Sequence, residues 1–352
     1  MKIRERVKKL LRELVSIKSV SGREKEIQEF LESRLSSLGV EVKRQAVEGD
    51  RFNLIHEGEG PYLISCHVDT VPPLGMRDAF RPRELGDRIY GRGASDVKGA
   101  LACLLVALEI FLRGRSFGKL PLSLAFVVDE ERNSAMGSEK AASYFRKPLD
   151  CLVLEPTYGE LCTSQCGALE FTITVEGEGA HGAEFEKTTN PIRVCASLID
   201  SLERDLGRRI NVIYMKGGSN HYVVPKKCTA LLELKVFEGE RWSELEKRVL
   251  SVLRKSGEKV TYRREDAEDF IRFRESELSS LMKRLLLEVK GEAREGTMPS
   301  WTDAANYHRA GHRCVVFGPG SLKDSHTERE SVSVSELEEV TILFLRLFEE
   351  MT

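Results

Sequence analysis

The sequence predicts an α/β chain: a mixed sheet between helices, interrupted by an inserted α+β unit of ferredoxin-like type. Three observations carry this. Short apolar runs of strand length alternate with longer amphipathic segments, the order of an α/β domain. Several of those runs are apolar at consecutive positions, as strands buried on both faces are. Between about 168 and 263 the order changes to strand, helix, strand, strand, helix, strand, a self-contained unit of domain size.

Taken in order, residues 4–17 place Val7, Leu10, Leu11, Leu14 and Val15 on one helical face. Ser21-Gly22-Arg23-Glu24 has the spacing of a capping box and would open a second helix carrying Ile27, Phe30, Leu31, Leu35 and Leu38. Strands are expected at 40–42, 53–56, 62–68, 120–128, 151–154 and 314–317, with helices at 98–113, 137–146, 276–290 and 335–350. Inside the insert the same patterns place strands at 170–175, 210–215, 229–237 and 259–263, and helices at 191–206 and 242–255. The outer pieces, 1–165 and 268–352, would form one discontinuous domain around an inserted domain at 166–267.

Composition narrows the function. The 352 residues carry a net charge of -2, so there is no global basic field to recruit nucleic acid or anionic lipid. No stretch reaches the roughly 18 uncharged apolar residues of a membrane span, and the basic N-terminus lacks an apolar signal core. A cytoplasmic protein with a small-molecule substrate is expected. Eight Cys are too sparse for a disulfide scaffold and sit mostly in apolar runs, so they should be reduced.

Chemistry-bearing residues gather at the ends of the expected strands. His67-Val68-Asp69 closes one apolar run, and its two polar side chains fall on the same side of an extended chain. Such strand ends are where α/β proteins build sites. A His there can ligate a metal while the carboxylate fixes its tautomer, although a His-x-Asp pair standing alone is more often a satisfied core histidine or a surface pair. Gly91-Arg92-Gly93-Ala94-Ser95-Asp96 delivers a carboxylate just before a helix and has neither the ending of a P-loop nor a third dinucleotide-binding glycine. A helix N-cap would explain Asp96 by itself. Asp129-Glu130-Glu131 ends a further apolar run in three acids, a costly crowding unless a cation neutralises it. Glu155-Pro156 ends another, and His326 follows the turn Gly318-Pro319-Gly320. Two His and at least three carboxylates suit two divalent ions of the zinc class, about 3.5–4 Å apart across a bridging carboxylate.

These motifs, in this order and at this spacing along the whole chain, resemble the dinuclear-zinc family of acetylornithine deacetylase, succinyl-diaminopimelate desuccinylase, aminoacylase and bacterial glutamate carboxypeptidase. The resemblance implies that the outer pieces are the catalytic domain and the insert a dimerisation or lid domain. It implies Asp96 as the bridging ligand, His67 and Glu155 on one metal, and Glu131 and His326 on the other. The ions would be Zn2+, with Co2+ or Mn2+ as alternatives. Asp69 would orient His67, and Glu130 would be the general base. Gly179-Ala180-His181-Gly182 matches the segment whose histidine reaches a partner subunit's site. Asn190, Tyr222, Lys235, Gly318 and Gly320 match positions near substrate. Tyr222 and Lys235 stand where Asn and Arg are common, and Trp301-Thr302-Asp303 lacks a following Arg; a Lys cannot give a carboxylate the bidentate fork of Arg.

The function implied is hydrolysis of the amide bond of an N-acyl amino acid by a metal-activated water. Alternatives are an exopeptidase, a hydrolase of an amino-group carrier-protein conjugate, and a non-catalytic binding homologue. A homodimer is expected, with 170–175 and 229–237 as the strands presenting an edge for pairing. The Cys162/Cys166 and His308/His312 pairs are read as structural.

Overall fold

The mixed sheet is centred on strands covered on both faces, so their residues are mostly apolar at consecutive positions and the buried polar ones, such as Arg51 and Asn53, find partners. In the computed structural model, which describes residues 2–113, 115, 120–132 and 135–351, the strands Arg51–His56 and Leu122–Val127 are buried at all six positions. Tyr62–His67 is buried at all but its first. The chain divides into two units. The first comprises Met1–Ser164, Arg272–Met298 and Thr302–Thr352, and the second Gln165–Ile271 with Pro299–Trp301.

In the first unit the strands lie in the order Lys43–Glu48, Arg51–His56, Leu122–Val127, Tyr62–His67, Asp150–Val153, Arg313–Val316, Leu161–Gln165, with Glu295–Met298 also pairing with the last. The central four run parallel, in register from Tyr62 opposite Leu122 and Asp150. Their C-terminal ends therefore fall together, and His67, the loop after Val127 and the loop after Val153 open at one edge. The helices Ile3–Ser16, Lys98–Leu112, Glu277–Lys290 and Val334–Glu350 pack on one another, and Met136–Tyr144 packs with Ala304–Arg309. One continuous apolar core joins Val7, Leu101, Phe126, Leu152, Phe317 and Phe344. A small sheet, Arg83–Leu85 with Arg88–Tyr90 and Ser331–Ser333, was not visible in the apolar pattern.

Two local expectations give way. The segment 40–42 is not a strand; the strand is Lys43–Glu48, an edge with one buried position, paired antiparallel to Arg51–His56. The capping box at Ser21 does not form, and the second helix begins at Lys25 without a side-chain cap. Ser21 gives its hydroxyl to Asp69 instead, and Glu24 is held by Arg51. Tertiary partners outcompete the local cap.

The second unit is a four-stranded antiparallel sheet in the order Asn211–Gly217, Lys227–Val236, Gly167–Glu176, Val260–Glu268. With the helices Pro191–Leu206 and Trp242–Lys255 it follows the β-α-β-β-α-β order of a ferredoxin-like unit. Lys227–Val236 alternates strictly between buried and less buried positions, so one face is covered. That face packs Phe171, Ile173, Leu232 and Leu234 against Leu198, Leu202, Val249 and Leu253. The strands expected to present an edge, 170–175 and 229–237, lie inside the sheet. Its edges are Asn211–Gly217 and Val260–Glu268, because strand order is set by pairing rather than by any strand's own pattern. Asn211–Gly217 is exposed along its entire length, including Val212, Ile213, Tyr214 and Met215.

All eight cysteines are free and buried. His312 is satisfied by the Ala142 carbonyl and the Leu149 amide, as a structural histidine is. Among the described residues no helix is long and apolar enough to cross a membrane.

Candidate metal centre

His67 is the last residue of its strand and is buried. Its Nδ1 lies 3.1 Å from the Asp69 carbonyl oxygen and 3.7 Å from the Asp69 carboxylate, which leaves Nε2 free to face outward. Nε2 is 3.2 Å from Asp96 Oδ1 and 3.8 Å from Glu155 Oε1. The other oxygen of Asp96 lies 3.5 Å from His326 Nε2, and Glu131 Oε2 is 2.9 Å from that same nitrogen. Asp96 thus stands between two imidazoles, one oxygen toward each.

Two groups able to hold a cation emerge: His67 with Glu130 and Glu155, and Asp96 with Glu131 and His326. The six residues come from five separate segments of the first unit. His326 and Asp129 both adopt left-handed backbone conformations, an uncommon state for residues with a Cβ. The Asp96–Val97 peptide is cis.

The electrostatics are those of a site built for positive charge. Burial, with Asp96 adding, pushes Glu131 up to about 7. Burial pushes Glu155 to about 7 despite His67, and burial together with Glu155 lifts Glu130 well above the usual carboxylate range. Burial opposes a charged His326, yet Asp96 and Glu131 raise it to about 10. Glu155 Oε1 is buried without a hydrogen-bond partner. Crowded carboxylates, an orphaned acceptor and two imidazole nitrogens on one spot form a donor set that fits divalent ions of the zinc class.

Behind these groups is a second layer that sequence reading missed. The Asp69 carboxylate accepts hydrogen bonds from the Glu130 amide at 3.2 Å, the Glu131 amide at 3.0 Å and the Ser21 hydroxyl at 2.7 Å. It therefore clamps the turn that carries both glutamates. Asp129, the first acid of the run, turns away to the buried Arg51, which also binds Glu24. An arginine, not a metal ion, answers that charge. Buried Lys98 donates from Nζ to the carbonyls of Leu14 at 3.0 Å and Ile17 at 2.7 Å, fastening the end of the first helix to the loop of Asp96. Burial lowers its pKa to about 7. Glycines permit close approach: a Cβ on Gly318 would lie 2.6 Å from the Glu155 carbonyl oxygen, and one on Gly320 would lie 2.4 Å from Ser95 Oγ. Both glycines thus press the 318–320 turn against loops that carry Glu155 and Asp96.

The remaining candidates belong to the second unit. His181 is exposed at the end of the two-residue strand Ala180–His181, opposite Val223 of Val223–Val224, and accepts the Ala183 amide at its Nδ1. Asn190 caps the helix Pro191–Leu206 through the Ile192 amide at 3.0 Å. Lys235 is paired with Glu233, and Tyr222 is 91% exposed.

Comparison with known proteins follows from this geometry. The sequence pattern described as peptidase family M20/M25/M40 matches residues 63–350, which include His67, Asp96, Glu130, Glu131, Glu155 and His326. The chain belongs to this family. As an M20 member it is a metal-dependent hydrolase. Among curated proteins it is 29% identical to a probable carboxypeptidase of Emericella nidulans, covering 94% of this chain and 86% of that one. It is 27% identical to a succinyl-diaminopimelate desuccinylase of Xanthomonas euvesicatoria, covering 96% of this chain and 97% of that one. Among solved structures a Staphylococcus aureus tripeptidase superposes with a TM-score of 0.81 at 19% identity, covering 99% of this chain and 98% of that one. Human carnosine dipeptidase 1 superposes at 0.82 with 16% identity, covering 99% of this chain and 96% of that one. These likenesses establish the M20 fold, a catalytic domain with an inserted domain.

Proposed function

We propose that this M20 hydrolase cleaves the amide bond of an N-acyl amino acid, with Asp96 bridging two zinc ions, His67 and Glu155 completing one site, and Glu131 and His326 the other. The observation that carries the reading is the placement of Asp96 between the two imidazole Nε2 atoms, with Glu130 beside His67 and Glu155. Bound there, the ions supply Lewis acidity for a water nucleophile and the substrate carbonyl. Glu130 ligates nothing in this scheme and is the group that takes the water's proton and returns it to the leaving nitrogen. The Asp69 clamp on the Glu130 amide holds that carboxylate in place. No covalent intermediate is required. The succinyl-diaminopimelate desuccinylase relative, matched over 97% of its length, supports an acyl amino acid as substrate.

The second unit we read as the lid and homodimer interface, with His181 stabilising the developing oxyanion in the partner's site. An exopeptidase is the second reading, favoured by the carboxypeptidase relative at slightly higher identity. Both share every proposed ligand and differ only in the pocket. A hydrolysis screen of N-succinyl and N-acetyl amino acids against dipeptides, with zinc-loaded protein, decides between them. Turnover of acyl amino acids, abolished in Glu130→Gln, supports the proposal. Turnover of dipeptides alone overturns it in favour of the exopeptidase.

A further inference from the structure

Glu330 lies four residues beyond His326, at the start of the strand Ser331–Ser333, and is completely buried. One of its oxygens, Oε1, accepts the backbone amides of Ser95 and Asp96, each at 3.2 Å. The other accepts from the guanidinium of Arg92, which is also buried. Arg92 in turn donates to the carbonyls of Pro72 at 3.1 Å, Pro73 at 2.9 Å and Thr327 at 3.4 Å. The Glu330 carbonyl accepts the Gly91 amide at 3.2 Å. One acid therefore joins the backbone of Asp96, the turn that follows His326 and the start of the glycine-rich loop.

A buried ion pair is weak evidence for stability, since desolvating both charges offsets much of their attraction. What this pair does supply is geometry. Asp96 and His326 come from distant parts of the chain, yet their side chains must meet within 3.5 Å. The Oε1 bonds set where the Asp96 backbone starts, and the four-residue turn sets where the imidazole starts, from one shared atom group.

We propose that Glu330, held by Arg92, is a positioning residue that fixes the Asp96 carboxylate and the His326 imidazole in one frame for the metal they share. The proposal rests on the reading of those two residues as ligands. Partners of this kind, one bond removed from a metal's ligands, are worth roughly 10- to 100-fold in metal affinity.

The test is a zinc competition titration with a chromophoric chelator on the full chain, paired with thermal unfolding of the metal-free protein. Glu330→Gln keeps the side-chain size and an acceptor but loses the charge that holds Arg92. Asp150→Asn, which weakens the pair between buried Asp150 and part-exposed Arg313 at the other end of the central strands, is the control for plain destabilisation. Zinc affinity at the site holding Asp96 and His326 should fall roughly 10- to 100-fold in Glu330→Gln, and stay near wild type in Asp150→Asn at a matched drop in apo melting temperature. Arg92→Lys should give a smaller loss in the same direction and serves if Glu330→Gln does not fold. Unchanged zinc affinity in the folded variant, or a loss matched by the control, overturns the proposal while leaving the site intact. If the wild-type chain binds no zinc, or His326→Ala keeps both ions, the ligand reading itself fails and takes the proposal with it.

Discussion

In the first unit His67, Asp96 and Glu155 are buried at strand and loop ends, and the loops around them are gripped from behind by Asp69, Arg51, Glu330 and Lys98. In the second, His181 and Tyr222 stand in solvent beside a two-stranded bridge between Ala180–His181 and Val223–Val224. The first region has a geometry complete within one chain. The second presents its candidate groups to solvent. A site of the first kind can be damaged by changing residues that never touch the substrate; one of the second kind is sensitive only at the contact itself.

Five variants break or sharpen this contrast. The largest effect is expected from Asp96→Ala, which removes the carboxylate standing between the His67 and His326 imidazoles: with Asp96 as the proposed bridge, bound zinc should be lost from both positions and hydrolysis should drop to background, read by elemental analysis and turnover. Glu130→Gln should keep both ions and the melting temperature while kcat falls roughly 100- to 10,000-fold; near-normal turnover would remove Glu130 as the base. Arg51→Met takes the guanidinium away from two buried acids, Glu24 and Asp129, so the metal-free protein should lose about 3–5 kcal/mol in urea unfolding. An effect below about 1 kcal/mol would show that the turn before Glu130 is held by the Asp69 clamp alone.

On the other side of the contrast, Asn190→Ala deletes a helix cap and should cost about 1 kcal/mol in the same assay. If Asn190 serves substrate more than the helix, KM will move further than stability does. Tyr222→Ala should leave stability within about 0.5 kcal/mol of wild type. Any effect it has must appear in KM or in the association of copies, measured by sedimentation.

The parts legible in the sequence were those with a local cause. The runs ending at His67 and Val127 announced buried strands because both faces are covered, and the residues just past their ends carried the chemistry. The parts that were not legible depend on pairing across the chain. Arg51, Arg92, Lys98 and Glu330 look like surface charges until the fold buries each with its partner. Ser21 and Glu24 spell a capping box, and only Asp69 and Arg51 redirect them. The edge of the second unit's sheet was misplaced for the same reason: Gly167–Glu176 and Lys227–Val236 become interior strands by acquiring neighbours. The expected crowding of three acids was real for Glu130 and Glu131, whereas Asp129 had already found an arginine.

The sealed ammonium of Lys98 has a practical corollary. Its nitrogen is reachable by an acylating reagent only when the carbonyls of Leu14 and Ile17 let go, that is, when the first helix lifts from the body of the unit. Among many surface lysines that modify at once, this one would be acylated on the timescale of opening. Timed acylation followed by peptide mass spectrometry would then turn a single buried amine into a clock for how often the floor beneath Asp96 breathes.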